Sequence, residues 1–309
     1  MKIVVVGPGA MGCLFAAYLT KSKEEIWLLD KNKERSAKIN ECGISLEGES
    51  GLWQSKPRAT ANCQDIGKAD LILICVKSFD TKAAIEQIRP LLFQETKILT
   101  LQNGIGNIEI ISEIAGEERV IAGITYEGAT LIDIGKIRHA GRGETIIGAI
   151  DGKTPVQMRA IREVFNQVGL ECKMSRDIKS LLWSKLIINV GINALSAIAR
   201  LPNGKLLEYE GTRRILRDAV TEAARVAKRK RIKLIFDDPL AKVEAACEGT
   251  QGNLSSMLQD VLRKKHTEVE FINGVIVRLA QELGIEVPAN KFLLDLMKTI
   301  ESSYAQSAQ

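Results

Sequence analysis

The 309-residue chain is poor in histidine, has no paired cysteine motif and no long apolar run, and each absence removes a class of function. Its two histidines are His139 and His266, and none of its six cysteines (Cys13, Cys42, Cys63, Cys75, Cys172, Cys247) forms a Cys-x-x-Cys pair. A His/Cys zinc site needs such ligands at short spacing, so no metal is expected. The scattered thiols read as small core residues. No apolar run reaches the roughly 20 residues of a bilayer span, so no membrane association is expected. The opening Met1-Lys2-Ile3-Val4-Val5-Val6 meets Gly7 too early for a signal-peptide core and reads as a buried strand, so a cytoplasmic location is expected. No internal repeat or low-complexity linker is present. The net charge of +5 is a mild excess that suits small anionic ligands. The densest basic run, Lys228-Arg229-Lys230-Arg231, follows a helical pattern and reads as a solvated helix end, so no nucleic-acid partner is expected.

What is present is an ordinary globular composition, 45% apolar and 26% charged, in a chain long enough for about two domains. The first half alternates strand signals (Ile3–Val6, Ile26–Leu29, Leu71–Val76, Ile98–Leu101, Val120–Ile124) with helical ones (Met11–Leu19, Glu34–Cys42, Thr81–Leu92, Ile108–Ile114). That alternation predicts a parallel, doubly wound sheet covered on both faces. From Gly128 to Gly148 short runs with glycines at 135, 141 and 143 read as antiparallel hairpins closing that sheet. A helix at Pro155–Val168 and a strand at Leu170–Met174 would complete it. Beyond Ser175 the segments 177–199, 211–231, 238–248, 253–284 and 289–304 all read as helical. The expected fold is therefore α/β, with a Rossmann-type domain over residues 1–175 and an all-α domain over 176–309.

Gly7-Pro8-Gly9-Ala10-Met11-Gly12 is a G-x-G-x-x-G motif between an apolar strand and a helix, the context in which it cradles a dinucleotide pyrophosphate. The first glycine makes the tight turn, the second lets the ligand approach the backbone, and the third lets helix and strand pack closely. The second strand ends in Asp30-Lys31. Asp30, 23 residues after Gly7, suits a ribose 2′-hydroxyl and so NAD; Lys31 suits a 2′-phosphate and so NADP. Successive residues leaving a strand point apart, so only one need face the ribose. Two later strands end in polar residues at the same sheet edge, which makes Lys77 and Asn103 candidate ligand contacts.

In the helical half, Lys185, Asn189 and Asn193 stand at i, i+4 and i+8 of a strongly apolar segment and so share one face. A solvent stripe would carry several charges, whereas this face has one lysine and two amides, the composition of a polar cleft. A second polar cluster is Asn253-Leu254-Ser255-Ser256-Met257-Leu258-Gln259-Asp260 with His266-Thr267-Glu268. There Asn253 reads equally as a helix N-cap, Glu268 as a surface acid and His266 as a surface or structural residue, and composition leaves the cluster undecided.

With these stretches in view the chain resembles the ketopantoate reductase (2-dehydropantoate 2-reductase) family over nearly its whole length. The specific matches are Leu182-Trp183-Ser184-Lys185-Leu186 with Asn189 and Asn193, and Asn253–Asp260 continuing through His266-Thr267-Glu268; Gln102-Asn103-Gly104, Pro202-Asn203-Gly204, Phe271-Ile272-Asn273-Gly274 and Val287-Pro288 also match. The resemblance implies NADPH-dependent reduction of 2-dehydropantoate to pantoate, a step toward pantothenate, with the active site in a cleft between the two domains. It implies that Lys185 is the proton donor and Glu268 lies beside the reacting centre and the cofactor. It puts Asn189, Asn193, Asn203 and Ser256 on the substrate and Asn103 on both ligands. Gly7 to Gly12, Lys31, Lys77 and Ala129 fall on the cofactor side. The family usually carries arginine where Lys31 stands, and Asp30 keeps NADH open as the alternative cofactor. Other 2- or β-hydroxyacid dehydrogenases of this two-domain plan, and a nicotinamide-binding sensor without turnover, are the alternative readings. Oligomeric state is left open, with a homodimer in view.

Overall fold

Apolar runs of the first half, Val4 to Val6 and Leu71 to Ile74 among them, become fully buried strands of one sheet in the computed structural model, which describes residues 1–306. In chain order this half holds β1 (Lys2–Val6), α1 (Ala10–Leu19), β2 (Glu25–Leu29), α2 (Lys33–Cys42), β3 (Ile44–Gly48), β4 (Trp53–Ser55), β5 (Arg58–Thr60), β6 (Leu71–Ile74), α3 (Thr81–Ile88), β7 (Lys97–Thr100), α4 (Asn107–Ala115), β8 (Val120–Thr125), β9 (Gly128–Asp133), β10 (Lys136–Gly141), β11 (Thr145–Ala149), α5 (Val156–Gln167) and β12 (Cys172–Met174). The main sheet runs β12-β11-β8-β7-β6-β1-β2-β5, parallel from β5 to β8, with β11 antiparallel to β8. Alternate residues of each strand face opposite layers. Val4, Val6, Ile72, Ile74 and Ile98 pack with Ile85, Ile88 and Ile111 of α3 and α4. Ile3, Val5, Leu71, Leu73 and Leu99 pack with α1 and with Ile161 and Phe165 of α5. The order of strands reverses between β1 and β6, and it is at the carboxyl edge of such a switch point that open α/β sheets bind ligands.

The stretch 128–148 does not form hairpins that close this sheet. Only β11 joins it; β9 and β10 pair with β3 and β4 in a separate four-stranded sheet of order β4-β3-β10-β9. The reason lies in α1. Eight of its ten residues are buried, because the sequence AMGCLFAAYL has no polar face to offer water. A helix that is apolar all round needs cover on both sides. The main sheet supplies one side, and Ile44, Leu46, Ile137, Ala129 and Leu131 of the second sheet supply the other.

The second half is helical: α6 (Ile178–Ala199), α7 (Glu210–Arg229), α8 (Pro239–Gly249), α9 (Ser256–Leu262), α10 (Val269–Leu283) and α11 (Pro288–Ser302). The segment 253–284 is two helices, interrupted where Lys264 takes a positive φ of 51°. By length and composition α6 is apolar enough to cross a membrane, contrary to the reading of the sequence, yet 67% of that window is buried within the protein. Leu186, Ile187, Val190 and Ala194 pack there against Leu216 and Val220 of α7, Val243 of α8 and Ile272 of α10. A Cβ at Gly191 would lie 2.8 Å from both Val220 Cγ2 and Val243 Cγ1, so α6 seats tightly on its apolar side. Buried Glu222 of α7 accepts the Ala289 and Asn290 N–H groups, both at 2.9 Å, and so caps the start of α11 from within the core. The chain divides into two units: Met1–Gln102 with Asn107–Ile178, and Asn103–Gly106 with the residues from Lys179 onward.

Candidate active site

The glycine turn is built as its spacing demands. Gly7 N–H donates to the Leu29 carbonyl at 2.9 Å, carrying the β1–β2 ladder one residue past the strand. Its φ is +94°, and a Cβ there would lie 2.7 Å from Val76 Cγ1. A Cβ at Gly12 would collide with the Gly7 carbonyl oxygen, whereas one at Gly9 would meet nothing within 4 Å. The outer glycines thus close the strand-turn-helix and the middle one leaves an open face over the backbone. Gly9 caps α1 without a side-chain acceptor, and the first turn of the helix carries no acid. Its first amides are left pointing at that opening with the positive end of the helix dipole behind them. This cradle fits a dinucleotide pyrophosphate. Buried Pro8 backs the loop, its carbonyl accepting from the Cys13 thiol at 3.5 Å, and Ala10 and Met11 remain partly exposed.

At the end of β6, Val76 packs on Gly7 and partly buried Lys77 leads a short 3-10 turn over Ser78–Asp80. Gln102 donates from Nε2 to the Val76 carbonyl and to Thr81 Oγ1, each at 2.8 Å, tying the carboxyl ends of β6 and β7 together. At the end of β2, Asp30 is only 3% exposed and turns back toward α2, where Arg35 grips it through Nε and Nη2. Lys31 points outward and pairs with Asp80 at 3.1 Å. Ala129 lies partly buried on β9, opposite His139 of β10.

In the helical unit, Lys185 keeps some accessible surface but sits deep enough that burial pushes its ammonium down to about 8, against the pull of the Glu268 carboxylate, which raises it. Glu268 is 6% exposed and stands at the N-terminus of α10. Asn193 is buried and Asn189 partly so on the same face of α6. Asn193 also borders α9. The two hydroxyls Ser196 Oγ and Ser255 Oγ lie 2.5 Å apart, and one donates to the other while the remaining proton goes to the Asn193 carbonyl, 3.2 Å from Ser196 Oγ and 3.5 Å from Ser255 Oγ. Ser255, not Asn253, is the cap of α9, accepting the Leu258 N–H at 3.0 Å. Ser256 is thereby exposed in the first turn, among amides with no intrahelical acceptor. The loop Asn103–Gly106 belongs to this unit: Ile105 N–H donates to the Phe271 carbonyl at 3.0 Å, and Phe271 N–H donates to the Glu268 carbonyl at 3.0 Å. Asn103, Glu268 and Lys185 therefore share a unit.

The family model described as "Ketopantoate reductase PanE/ApbA" matches residues 3–152, and its C-terminal counterpart matches residues 177–301. The chain belongs to the ketopantoate reductase family. A curated relative from Pyrococcus horikoshii named 2-dehydropantoate 2-reductase is 36% identical over 303 residues, 98% of each chain. The crystal structure of a PanE/ApbA family ketopantoate reductase from Ralstonia eutropha JMP134 has a TM-score of 0.91 at 34% identity, covering 98% of this chain and 99% of that one. A ternary structure of D-mandelate dehydrogenase with NADH and anilino(oxo)acetate has a TM-score of 0.90 at 26% identity, covering 98% and 99%. Membership of the ketopantoate reductase family, together with these neighbours, supports a nicotinamide cofactor.

Other motif residues of the ketopantoate reductase pattern have local work as well. Asn203 is 8% exposed; its Nδ2 donates to Thr250 Oγ1 at 2.9 Å and its N–H to the Asn253 carbonyl at 3.0 Å, while Oδ1 is buried with no partner. His266 is on the surface and pairs with Glu301 at 2.5 Å. Among the described residues no cluster of His, Cys, Asp and Glu is arranged to hold a metal. Sequence reasoning missed Arg35, Ser196 and Thr250, and it named Ser255 and Phe271 only as members of matched stretches, with no role of their own. Of the three that were missed, Ser196 carried a signal, three residues beyond Asn193 on the helix.

Proposed function

We propose that this chain reduces 2-dehydropantoate to pantoate with NADPH and that Lys185 supplies the proton, with residues 1–175 binding the cofactor and 176–309 the substrate. The observation that carries the reading is Lys185 itself, a deeply set lysine with a lowered pKa of about 8, next to a buried glutamate and on one face with two asparagines. The name carried by the Pyrococcus horikoshii relative supports the substrate.

When bound, the nicotinamide supplies the hydride. As the ketone carbon is reduced, negative charge grows on its oxygen. The Lys185 ammonium stabilises that charge and then gives up its proton to it, and a lysine whose pKa is lowered toward neutrality gives it up more readily. Glu268 keeps Lys185 charged and oriented. Asn189 and Asn193 bond the substrate hydroxyl and carboxylate without adding net charge, and Asn203 walls the same side. The Ser256 hydroxyl and the α9 amides take the carboxylate. Asn103 bonds both ligands. Gly7, Pro8, Gly9, Ala10, Met11 and Gly12 hold the pyrophosphate; Lys31 and Lys77 meet cofactor phosphate; Ala129 and Glu268 line the cofactor side.

A second reading is an NADH-linked dehydrogenase of another 2-hydroxy acid, favoured by the similarity to D-mandelate dehydrogenase with NADH. A panel of keto acids, 2-dehydropantoate and benzoylformate included, assayed with NADPH and with NADH, separates the two. The highest kcat/KM for 2-dehydropantoate with NADPH is expected; a preference for benzoylformate or NADH would transfer the case to the second reading.

A further inference from the structure

Four charged side chains gather at the carboxyl end of β2, and their pairing differs from what the motif spacing implies. Asp30 accepts from the Asn32 N–H at 3.2 Å, from Arg35 Nη2 at 2.5 Å and from Arg35 Nε, and only 3% of it is exposed. A ribose hydroxyl seeking this carboxylate would compete with a charge-assisted fork, which is the stronger kind of hydrogen bond. Lys31 is tied only to Asp80, in a pair whose lysine side chain is 72% exposed. Exposed pairs of this kind are weak and open easily.

Arg35 stands between these extremes. Its side chain is 33% exposed. Nε and Nη2 are held by Asp30, while Nη1 has no acceptor among the described residues. The pair also lies near the glycine turn: Asp30 and Arg35 both act on the thiol of Cys13, at the start of α1, in opposite directions. A planar guanidinium anchored along one edge and open along the other is a preorganised phosphate fork, which a lone ammonium cannot provide.

We infer that Arg35 reads the 2′-phosphate of NADPH, that Asp30 is a positioning residue that aims Arg35, and that Lys31 is a minor, mobile contributor. This rests on the nicotinamide-cofactor reading above and reverses the role that spacing gives Asp30. Spacing along the chain points to Lys31 for this charge; the fork lies four residues further on, at Arg35.

The test is calorimetric titration of the full-length protein with NADP⁺ and with NAD⁺, which differ only in the 2′-phosphate and need no turnover. Arg35→Met is expected to weaken NADP⁺ about 10- to 100-fold, as loss of a charged hydrogen-bond pair does, and to leave NAD⁺ within about twofold. Lys31→Ala is expected to weaken NADP⁺ by about threefold or less, in keeping with an exposed charge. Asp30→Ser is expected to weaken NADP⁺ because the fork loses its anchor. Should Arg35→Met not fold, Arg35→Lys keeps the charge beside Asp30 and is still expected to lose most of the preference. Unchanged NADP⁺ affinity in the Arg35 variants, or tighter NADP⁺ binding in Asp30→Ser, overturns the assignment. A wild-type protein that binds neither dinucleotide overturns the cofactor reading itself, and the role of Arg35 with it.

Discussion

As the proposed proton donor, Lys185 can act only while it holds its proton. With its pKa lowered to about 8 by burial, the protonated form dominates below that pH and is lost above it. The kcat/KM for keto-acid reduction is therefore expected to be level below about pH 8 and to fall about tenfold per pH unit above it. Glu268 raises this pKa, so Glu268→Gln is expected to move the falling limb to lower pH; a limb that stays in place would separate Glu268 from Lys185. Asn193→Ala and Ser256→Ala are expected to act on binding rather than on the proton. Each is expected to cost about 0.5–3 kcal/mol, read as a higher KM for 2-dehydropantoate, and an unchanged KM in both would remove them from the substrate. The lysine and its asparagines were legible in the sequence because a spacing of four places residues on one helical face whatever the tertiary fold. Arg35 was not legible, since its meaning comes from gripping Asp30, and Asp30 read in isolation looks like a ribose acceptor.

Elements were readable to the extent that their pattern was local. The parallel strands are short, apolar on both sides and bounded by turns, so β1, β2, β6, β7 and β8 lie close to where the pattern put them. The short strands β3, β4 and β5 went unseen because three to five residues carry little periodicity, and β9–β10 was given the wrong partner because pairing is a long-range choice. The clue lay in α1, whose lack of any polar residue on its outer side requires a second cover. The break between α9 and α10 was hidden in a continuous helical pattern, yet it is what brings Glu268 to a helix start. The loop carrying Asn103 depends on Gly104, whose φ is +81° and where a Cβ would collide with the Phe271 carbonyl oxygen. Gly104→Ala is expected to cost about 1–3 kcal/mol by denaturant unfolding and to raise the KM for 2-dehydropantoate as Asn103 shifts. Wild-type stability and KM together would mean that this contact does not hold the loop.

For the whole molecule, one unit holds the glycine turn and the other holds Lys185, and the family models match both halves. The most direct measurement is the loss of NADPH absorbance on adding 2-dehydropantoate, followed with wild-type protein and with Lys185→Ala. Oxidation is expected to depend on the keto acid and to yield pantoate one for one. In the variant the rate is expected to be lower by about 10²–10⁴-fold with nearly unchanged affinity for NADP⁺. Wild-type protein that oxidises no NADPH with this keto acid, or a Lys185→Ala variant that keeps near wild-type turnover at neutral pH, would contradict the proposed function.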